Sequence, residues 1–264
     1  MASPPAADAA RELEIELLQT VDVNEPDAVE RIAAGSPDVV AVCAFGQLIK
    51  EPLLSDHLLL NVHPSLLPRW RGAAPIARAI MAGDDETGVS VMRVTAGLDS
   101  GPVALQERTP IGPDEDWGSL SERLSELGGE LLVRALDLHV VGELEFRDQA
   151  DSQATYAEKI DPAERRLDPG RPATELGAKV RGLTPYLGAY LELEGGDRLG
   201  VRSASPEDGE LEVGELRAES GELRLGCAEG VLRLLVVQPP GGRPMATEAF
   251  LRGHAPPAKA RVGA

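Results

Sequence analysis

The sequence of 264 residues is poor in aromatic residues and in cysteine. Phe, Trp and Tyr make up 3% of the chain, so its cores must be built from Leu, Val, Ala and Ile. The two cysteines, Cys43 and Cys227, are far apart in sequence, which excludes a disulfide framework and a cysteine-based zinc site. We therefore expect a reducing, cytoplasmic setting, with an inert Cys227 and with Cys43 buried in a strand.

Long apolar runs and an excess of positive charge are also missing. No stretch approaches the ~18 apolar residues of a transmembrane helix, and the N-terminus lacks the apolar core of a signal peptide. The net charge of −18 speaks against non-specific binding of nucleic acid. Residues 1–164 contain 30 acidic and 12 basic residues, whereas residues 165–264 contain 14 of each. Two arrangements stay open for the second part: a basic face, or scattered solvated charges.

The first part of the chain has the pattern of an α/β domain. The apolar run 38–45 is typical of a buried parallel strand, and residues 58–61 predict a second one. Period-two alternation over 88–94, followed by 103–109, predicts an antiparallel pair around a glycine-rich loop. Leucines at a 3.6-residue period predict a long helix over 117–141.

The second part has the pattern of a small β-barrel. A helix is predicted over 173–182 and a closing helical turn over 247–251. Short alternating segments separated by glycine-rich turns predict five strands between them. These strands are 189–193, 198–202, 210–216, 222–227 and 231–237.

Three side chains with complementary chemistry accompany the predicted strands of the first part. Asn61 and His63 stand at a strand end, where α/β sheets bind ligands, and Asp99 lies in the glycine-rich loop. An amide can stabilise an oxyanion, an imidazole can carry a proton, and a carboxylate can orient the imidazole. Each has an ordinary structural explanation when taken singly, such as an Asx-turn. Together they predict acyl transfer without a metal.

The sequence around these residues resembles the folate-dependent formyltransferases. The motif NVHPSLLP at 61–68 is similar to a segment that this family shares, including the purine-pathway glycinamide enzyme. RWRGAAPI at 69–76, GDDETGVSVMRVTAGLDSGPV at 83–103, YAEK at 156–159 and the β-rich C-terminal part resemble the methionyl-tRNA formyltransferases more specifically.

This resemblance implies an enzyme that transfers the formyl group of 10-formyltetrahydrofolate to the amino group of initiator methionyl-tRNA for translation initiation. Asn61 would hydrogen-bond the formyl oxygen as it becomes an oxyanion. His63 would be a second donor and a proton carrier, and Asp99 would orient His63 and favour its charged form. The resemblance also implies a monomer that uses folate as cosubstrate and needs no metal.

The resemblance further implies two groups of binding residues. The expected tetrahydrofolate-binding residues are Ser65, Leu66, Leu67, Pro68, Phe45, Gly46, Gln47, Leu48, Gly97 and Leu98. The expected tRNA-binding residues are Arg69 and Arg71 beside the site, and Arg181 where the β-rich part begins. Two ordinary explanations stay open: the apolar residues are part of the core, and the arginines are solvated surface charges without a ligand.

The implied fold class is α/β, with a Rossmann-like formyltransferase domain followed by an OB-like β-barrel. We expect the catalytic domain over 1–153, a linker over 154–170 and a tRNA-binding barrel over 171–264. The family begins with a glycine-containing strand-turn-helix, a second strand and an inserted tRNA-binding loop, and this chain resembles the family from the end of that loop onwards. We therefore expect an N-terminally truncated domain: a misassigned start or gene fragment, a shortened active form, or an inactive remnant.

Two other functions stay open at this point. The chain could formylate a small amine, such as an aminosugar or a purine precursor, although the glycinamide enzyme would not need the β-rich part. It could also be a folate- or tRNA-binding remnant without turnover. An assay that compares charged tRNA with nucleotide-sugar amines as formyl acceptors tests the first alternative. Folate binding without formylation would identify the second.

Overall fold

The structure, a computed structural model, describes residues 4–255 and 257–263 as two β-sheets with flanking helices. The α-helices in these ranges are α1 (Pro5–Glu12), α2 (Pro26–Ala34), α3 (Leu53–Asp56), α4 (Pro75–Ala82), α5 (Trp117–Val140), α6 (Ala173–Leu183) and α7 (Thr247–Gly253). The strands are β1 (Val40–Cys43), β2 (Leu59–His63), β3 (Glu86–Arg93), β4 (Val103–Pro110), β5 (Ala189–Glu192), β6 (Arg198–Glu207), β7 (Leu216–Glu219), β8 (Glu222–Gly226), β9 (Val231–Gln238) and β10 (Met245–Ala246).

The first sheet has the strand order β1-β2-β3-β4. β1 and β2 are parallel, whereas β2–β3 and β3–β4 are antiparallel, which confirms the predicted strand pair around the glycine-rich loop. Helix α5 packs on this sheet through Leu120 and Leu124, which share a core with Val89 and Val91 of β3. The Asp116 carboxylate caps α5 by accepting a hydrogen bond of 2.9 Å from the Ser119 amide. The predicted α/β class is confirmed.

Strand β1 lies at the edge of the first sheet and is less buried than predicted. Its residues alternate between half-buried and exposed, and Cys43 is exposed. Val40 and Val42 pack towards the small core of Ile49, Leu53 and Leu59, while Ala41 and Cys43 on the other face of β1 are exposed. The expectation of a buried Cys43 is therefore wrong, because an apolar run fits an edge strand covered on one face as well as a central one.

The second sheet is an antiparallel barrel. Its strand order is β5-β6-β9-β8-β7, and β10 pairs with β9. Isolated bridges join Leu193 to Ala260 and Glu215 to Lys259, so the C-terminal segment connects the two ends of the sheet. The interior is filled by fully buried leucines, as the low aromatic content requires. These include Leu191, Leu199, Leu223, Leu225 and Leu232.

One predicted strand of the barrel is wrong. Residues 210–216 were expected to form a strand, but β7 begins only at Leu216. Before it the chain turns, and the Glu215 amide donates to the Glu212 carbonyl at 2.8 Å. Alternating Leu and Val among glutamates imitates a strand in sequence, although turn hydrogen bonds satisfy this backbone.

The two sheets are joined by a packed segment and by a helix pair. Residues 154–170, predicted as a linker, include Ala157 and Leu167, both fully buried. Helix α6 lies against α4 so closely that a Cβ on Gly182 would be 2.8 Å from Met81 Cγ and 3.0 Å from the Ala77 carbonyl oxygen. Within the described ranges, no helix is long and apolar enough to cross a membrane.

Candidate active site

Strand β2 carries two of the predicted site residues on one face. Asn61 and His63 are two residues apart, and successive side chains of a strand point to opposite faces, so this pair shares a face. The strand continues to His63 instead of ending at Asn61. His63 is 4% exposed, whereas Asn61 is half-buried.

The His63 ring contacts protein groups through both nitrogens. Nε2 lies 2.8 Å from the Trp70 carbonyl oxygen, and Nδ1 lies 3.7 Å from Asp99 Oδ2. Because a carbonyl oxygen only accepts hydrogen bonds, this geometry places a hydrogen on Nε2. The gap at Nδ1 is longer than a hydrogen bond, so this atom is the one that a proton or a substrate can reach.

Asp99 is held by backbone on the other side of the site. The Gly72 amide donates to Asp99 Oδ2 at 2.9 Å. Gly72 has φ +119, and a Cβ there would lie 2.8 Å from the Ala157 carbonyl oxygen, so this position requires glycine. Asp99 itself has φ +45, a conformation that Asp tolerates better than most residues.

The Asn61 amide and the second carboxylate oxygen of Asp99 stay available for a ligand. Among the described residues, none donates to or accepts from the Asn61 side chain, and none hydrogen-bonds Asp99 Oδ1. The site therefore combines a free amide, a buried imidazole and a half-occupied carboxylate. A neutral nucleophile and a carbonyl substrate need this set of groups.

The segment predicted to contact folate is fixed by two residues that sequence reasoning missed. Ser90 Oγ donates to the Ser65 carbonyl at 2.6 Å and accepts from the Leu67 amide at 3.1 Å. Gln106 Nε2 donates to the Leu67 carbonyl and to Ser90 Oγ, each at 2.8 Å. The available signal was a serine flanked by Val89 and Val91 in β3, because a buried hydroxyl needs partners.

Of the other expected folate residues, those at 45–48 lie at the same sheet edge, Gly97 and Leu98 lie in the loop of Asp99, and several expose apolar side chains. The register Val42↔Asn61 puts the residues after β1 beside the end of β2. Phe45, Leu48 and Leu98 are 44%, 64% and 63% exposed. Pro68 and the glycines are at least partly accessible, whereas Gln47 is bound to the backbone of residues 21 and 23. Exposed apolar groups beside a polar site suit a flat aromatic ligand.

Arg69 lies in a cleft of about 860 Å³ beside the site loop. Its Nε donates to Asp84 Oδ2 at 2.8 Å, and its guanidinium stacks 4.5 Å from the Trp70 ring centroid. Trp70 Nε1 also donates to Asp84 at 2.8 Å. The hydrogen bonds with Asp84 raise the pKa of Arg69 above its usual value. Arg69 is 45% exposed in its side chain, so its predicted role in tRNA binding stays a prediction.

Arg71 is buried, in contrast to Arg69. Its residue is 3% exposed, Nε donates to Gln149 Oε1 at 2.9 Å and an Nη donates to Asp151 at 2.8 Å. The Arg71 guanidinium is thus buried among protein partners, and its tRNA-binding role stays a prediction. The half-buried Arg181 donates to the Glu115 carbonyl at 3.2 Å, and its tRNA-binding role stays a prediction.

The basic face, one of the two charge arrangements left open for the second part of the chain, is mostly neutralised. Many of its basic side chains form ion pairs with glutamates. These pairs include Arg166–Glu192, Arg217–Glu215, Arg224–Glu207, Arg233–Glu207, Arg252–Glu248 and Lys259–Glu212. Among them, Arg224 of β8 and Arg233 of β9 both pair with Glu207 of β6, which places opposite charges on neighbouring strands.

Comparison with known families assigns both parts of the chain. Residues 1–136 match the family model described as formyl transferase, and residues 159–255 match the one described as formyl transferase, C-terminal domain. A methionyl-tRNA formyltransferase of Rhizobium etli is 41% identical over 254 residues, which cover 94% of this chain and 81% of the relative. A methionyl-tRNA formyltransferase of Parvibaculum lavamentivorans is 46% identical over 223 residues, which cover 83% of this chain and 72% of the relative.

Solved structures share the fold at low identity. HypX from Aquifex aeolicus in complex with tetrahydrofolic acid has a TM-score of 0.67 and 20% identity, over 86% of this chain and 41% of HypX. WlaRD, a sugar 3N-formyl transferase, has a TM-score of 0.65 and 14% identity, over 86% of this chain and 80% of WlaRD. Together with the sequence matches, these findings show that the chain belongs to the methionyl-tRNA formyltransferase family.

Proposed function

We propose that the chain transfers the formyl group of 10-formyltetrahydrofolate to the amino group of methionyl-tRNA. The observation that supports this best is the Asn61 amide, which has no hydrogen-bond partner among the described residues and shares a strand face with His63, itself beside Asp99. The relatives named methionyl-tRNA formyltransferase support the choice of substrate. The HypX structure with tetrahydrofolic acid supports a folate donor.

The residues divide the reaction among them. The amino nitrogen attacks the formyl carbon, and the formyl oxygen gains negative charge that the Asn61 amide stabilises by donating a hydrogen bond. The nitrogen must lose a proton, which Asp99 Oδ1 would accept, because no group among the described residues hydrogen-bonds this oxygen while Gly72 binds Oδ2. The C–N bond to the folate then breaks, and the folate nitrogen takes up one proton. His63 Nδ1, 3.7 Å from Asp99 Oδ2, relays the proton between the carboxylate and the folate nitrogen.

The folate would lie against the exposed apolar side chains at the carboxyl ends of β1 and β2. Phe45, Leu48 and Leu98 offer apolar surface, and we place the Ser65–Pro68 segment, whose position Ser90 fixes, beside it. We keep Gly46, Gln47 and Gly97 in this proposed pocket because they adjoin these side chains in sequence. The aminoacyl end of the tRNA would approach past Arg69.

The proposal predicts a large loss of turnover on truncation of the amide. Loss of one oxyanion donor typically lowers kcat by about 10²–10³-fold, which is ~2.7–4 kcal/mol in the barrier. We expect Asn61→Ala to show this loss with 10-formyltetrahydrofolate and methionyl-tRNA, while the thermal unfolding midpoint stays unchanged. Asp99→Asn, which removes the proton acceptor, is expected to lose as much.

Matched controls use the same residue types outside the site. Asp114→Asn changes an exposed aspartate before α5, and His139→Ala changes a half-buried histidine in the last turn of α5, so both should keep wild-type turnover. His63→Ala with near-normal turnover would contradict the mechanism. Formylation of a nucleotide-sugar amine in preference to methionyl-tRNA would contradict the substrate.

A further inference from the structure

The segment after α5 returns to the active-site loops instead of leaving the first sheet. We call residues 147–157 the strap. Arg147 forms an antiparallel bridge with Val103, at the end of the Asp99 loop. Further along, the Thr155 hydroxyl accepts from the Trp70 amide at 2.9 Å, and Tyr156 bridges to Arg71. The strap thus contacts both loops that hold the His63 ring.

Gln149 is the strap residue whose side chain joins these two loops. Its Nε2 donates to the Asp99 carbonyl at 2.8 Å and to the Gly101 carbonyl at 2.7 Å. Its Oε1 accepts from Arg71 Nε at 2.9 Å. Arg71 directly follows Trp70, whose carbonyl holds His63 Nε2. One amide therefore fixes the backbone of Asp99 relative to the backbone that orients His63.

We infer that Gln149 is a positioning residue for formyl transfer, acting through Asp99. This inference rests on the proposed function for its kinetic consequence only. Asp99 has a left-handed backbone conformation in a loop whose neighbour Leu98 is largely exposed, so little apolar packing holds it. Both Gln149 donors act on this loop. A displacement of about 1 Å at a reacting group can cost on the order of 10²-fold in rate.

The first test is kinetic and uses Gln149→Met, which is neutral, similar in size and unable to donate. We expect kcat to fall on the order of ten- to a hundredfold, with KM for both substrates nearly unchanged. Gln153→Met alters an exposed glutamine of the same strap and should keep wild-type kcat. Gln149→Glu keeps the acceptor for Arg71 but loses the donors, so it should lose turnover as Gln149→Met does.

The second test separates positioning from a general loss of structure. In an Asp99→Asn background, Gln149→Met should cause little further loss, because the group that it positions is already disabled. An equal fold-loss in both backgrounds, or wild-type turnover in Gln149→Glu, would overturn the inference.

The third test does not depend on turnover. The Gly72 amide is bound by Asp99 Oδ2, so its hydrogen exchange reports where the carboxylate lies. We expect Gln149→Met to speed exchange at Gly72, and Gln153→Met to leave it unchanged. Unchanged exchange at Gly72 in Gln149→Met would refute the positioning role. A wild-type chain that fails to formylate methionyl-tRNA would refute the proposed function instead, while Gly72 exchange still decides the role of Gln149.

Discussion

The two sheets of this chain differ in how they treat their edges. The first sheet ends in β1, an edge strand with an exposed Cys43, and apolar side chains such as Phe45 and Leu48 stay accessible beside it. The barrel has its ends joined through Ala260 and Lys259 and encloses fully buried leucines such as Leu223 and Leu225. The comparison teaches that the candidate active site lies in the sheet with an exposed edge strand, where loops and not further strands surround the site residues.

The largest expected difference between the sheets is in thiol reactivity. Burial raises the pKa of Cys227 in the barrel to about 11, so at pH 8 only about one in a thousand of its thiols is the reactive thiolate. We expect iodoacetamide to label Cys43 quickly in the native protein and to leave Cys227 unmodified, as read by mass spectrometry. Both should react in denaturant, and native labelling of Cys227 at the rate of Cys43 would break the comparison.

The contact between the two regions can be loosened at Gly182. A methyl group there would meet Met81 and the Ala77 carbonyl oxygen, so we expect Gly182→Ala to lower the free energy of unfolding by about 1–3 kcal/mol. Gly129→Ala, in α5, is the matched control because a Cβ there meets nothing within 4 Å. It should stabilise by about 0.5–1 kcal/mol through helix propensity. Thermal unfolding of both variants measures the difference, and equal effects would refute close packing of α6 on α4.

The smallest expected effect concerns the ion pair between α4 and the connecting segment. Arg78 donates to Glu164 at 2.6 and 2.9 Å and thereby lowers the pKa of Glu164 below 4.5. A carboxyl group whose pKa is lower in the folded state stabilises the fold at pH values above its unfolded-state pKa. This stabilisation is lost as the pH falls through the folded-state pKa. Because the Glu164 side chain is 35% exposed, we expect Glu164→Gln to cost no more than about 1 kcal/mol at pH 7.

The cost of Glu164→Gln should disappear when wild type and variant are compared below pH 3, by denaturant unfolding. Glu143→Gln, at an exposed position after α5, should have no effect at either pH. A cost for Glu164→Gln that persists at low pH would mean that packing, and not the ion pair, holds the segment.

Much of the fold could be predicted because its signals are local. The leucine period placed α5 within one residue of its observed end, and the alternation of β3 and β4 gave their pairing. The exposure of β1 could not be predicted, since it depends on which elements cover the strand. The strand predicted over 210–216 was wrong because apolar and acidic residues alternate there although the backbone forms a turn.

The candidate site also contains residues that could be predicted from local sequence and residues that could not. Asn61 and His63 could be placed on one face because they are two residues apart on a strand. Gln149 and Thr155 carried no sequence signal, because their contacts depend on where a polar segment returns in three dimensions. The burial of Arg71 was hidden for the same reason: the guanidinium takes its partners from residues 149 and 151.

The strap has a consequence for exchanging domains between relatives. A cut at the end of α5 would look natural, because that helix completes the cover of the first sheet. Such a cut would hand residues 147–157 to the incoming barrel, together with the side chains that bind Trp70, Arg71 and the Asp99 loop. A chimaera should therefore inherit this stretch from the parent that supplies Asp99, and the seam belongs after Ala157.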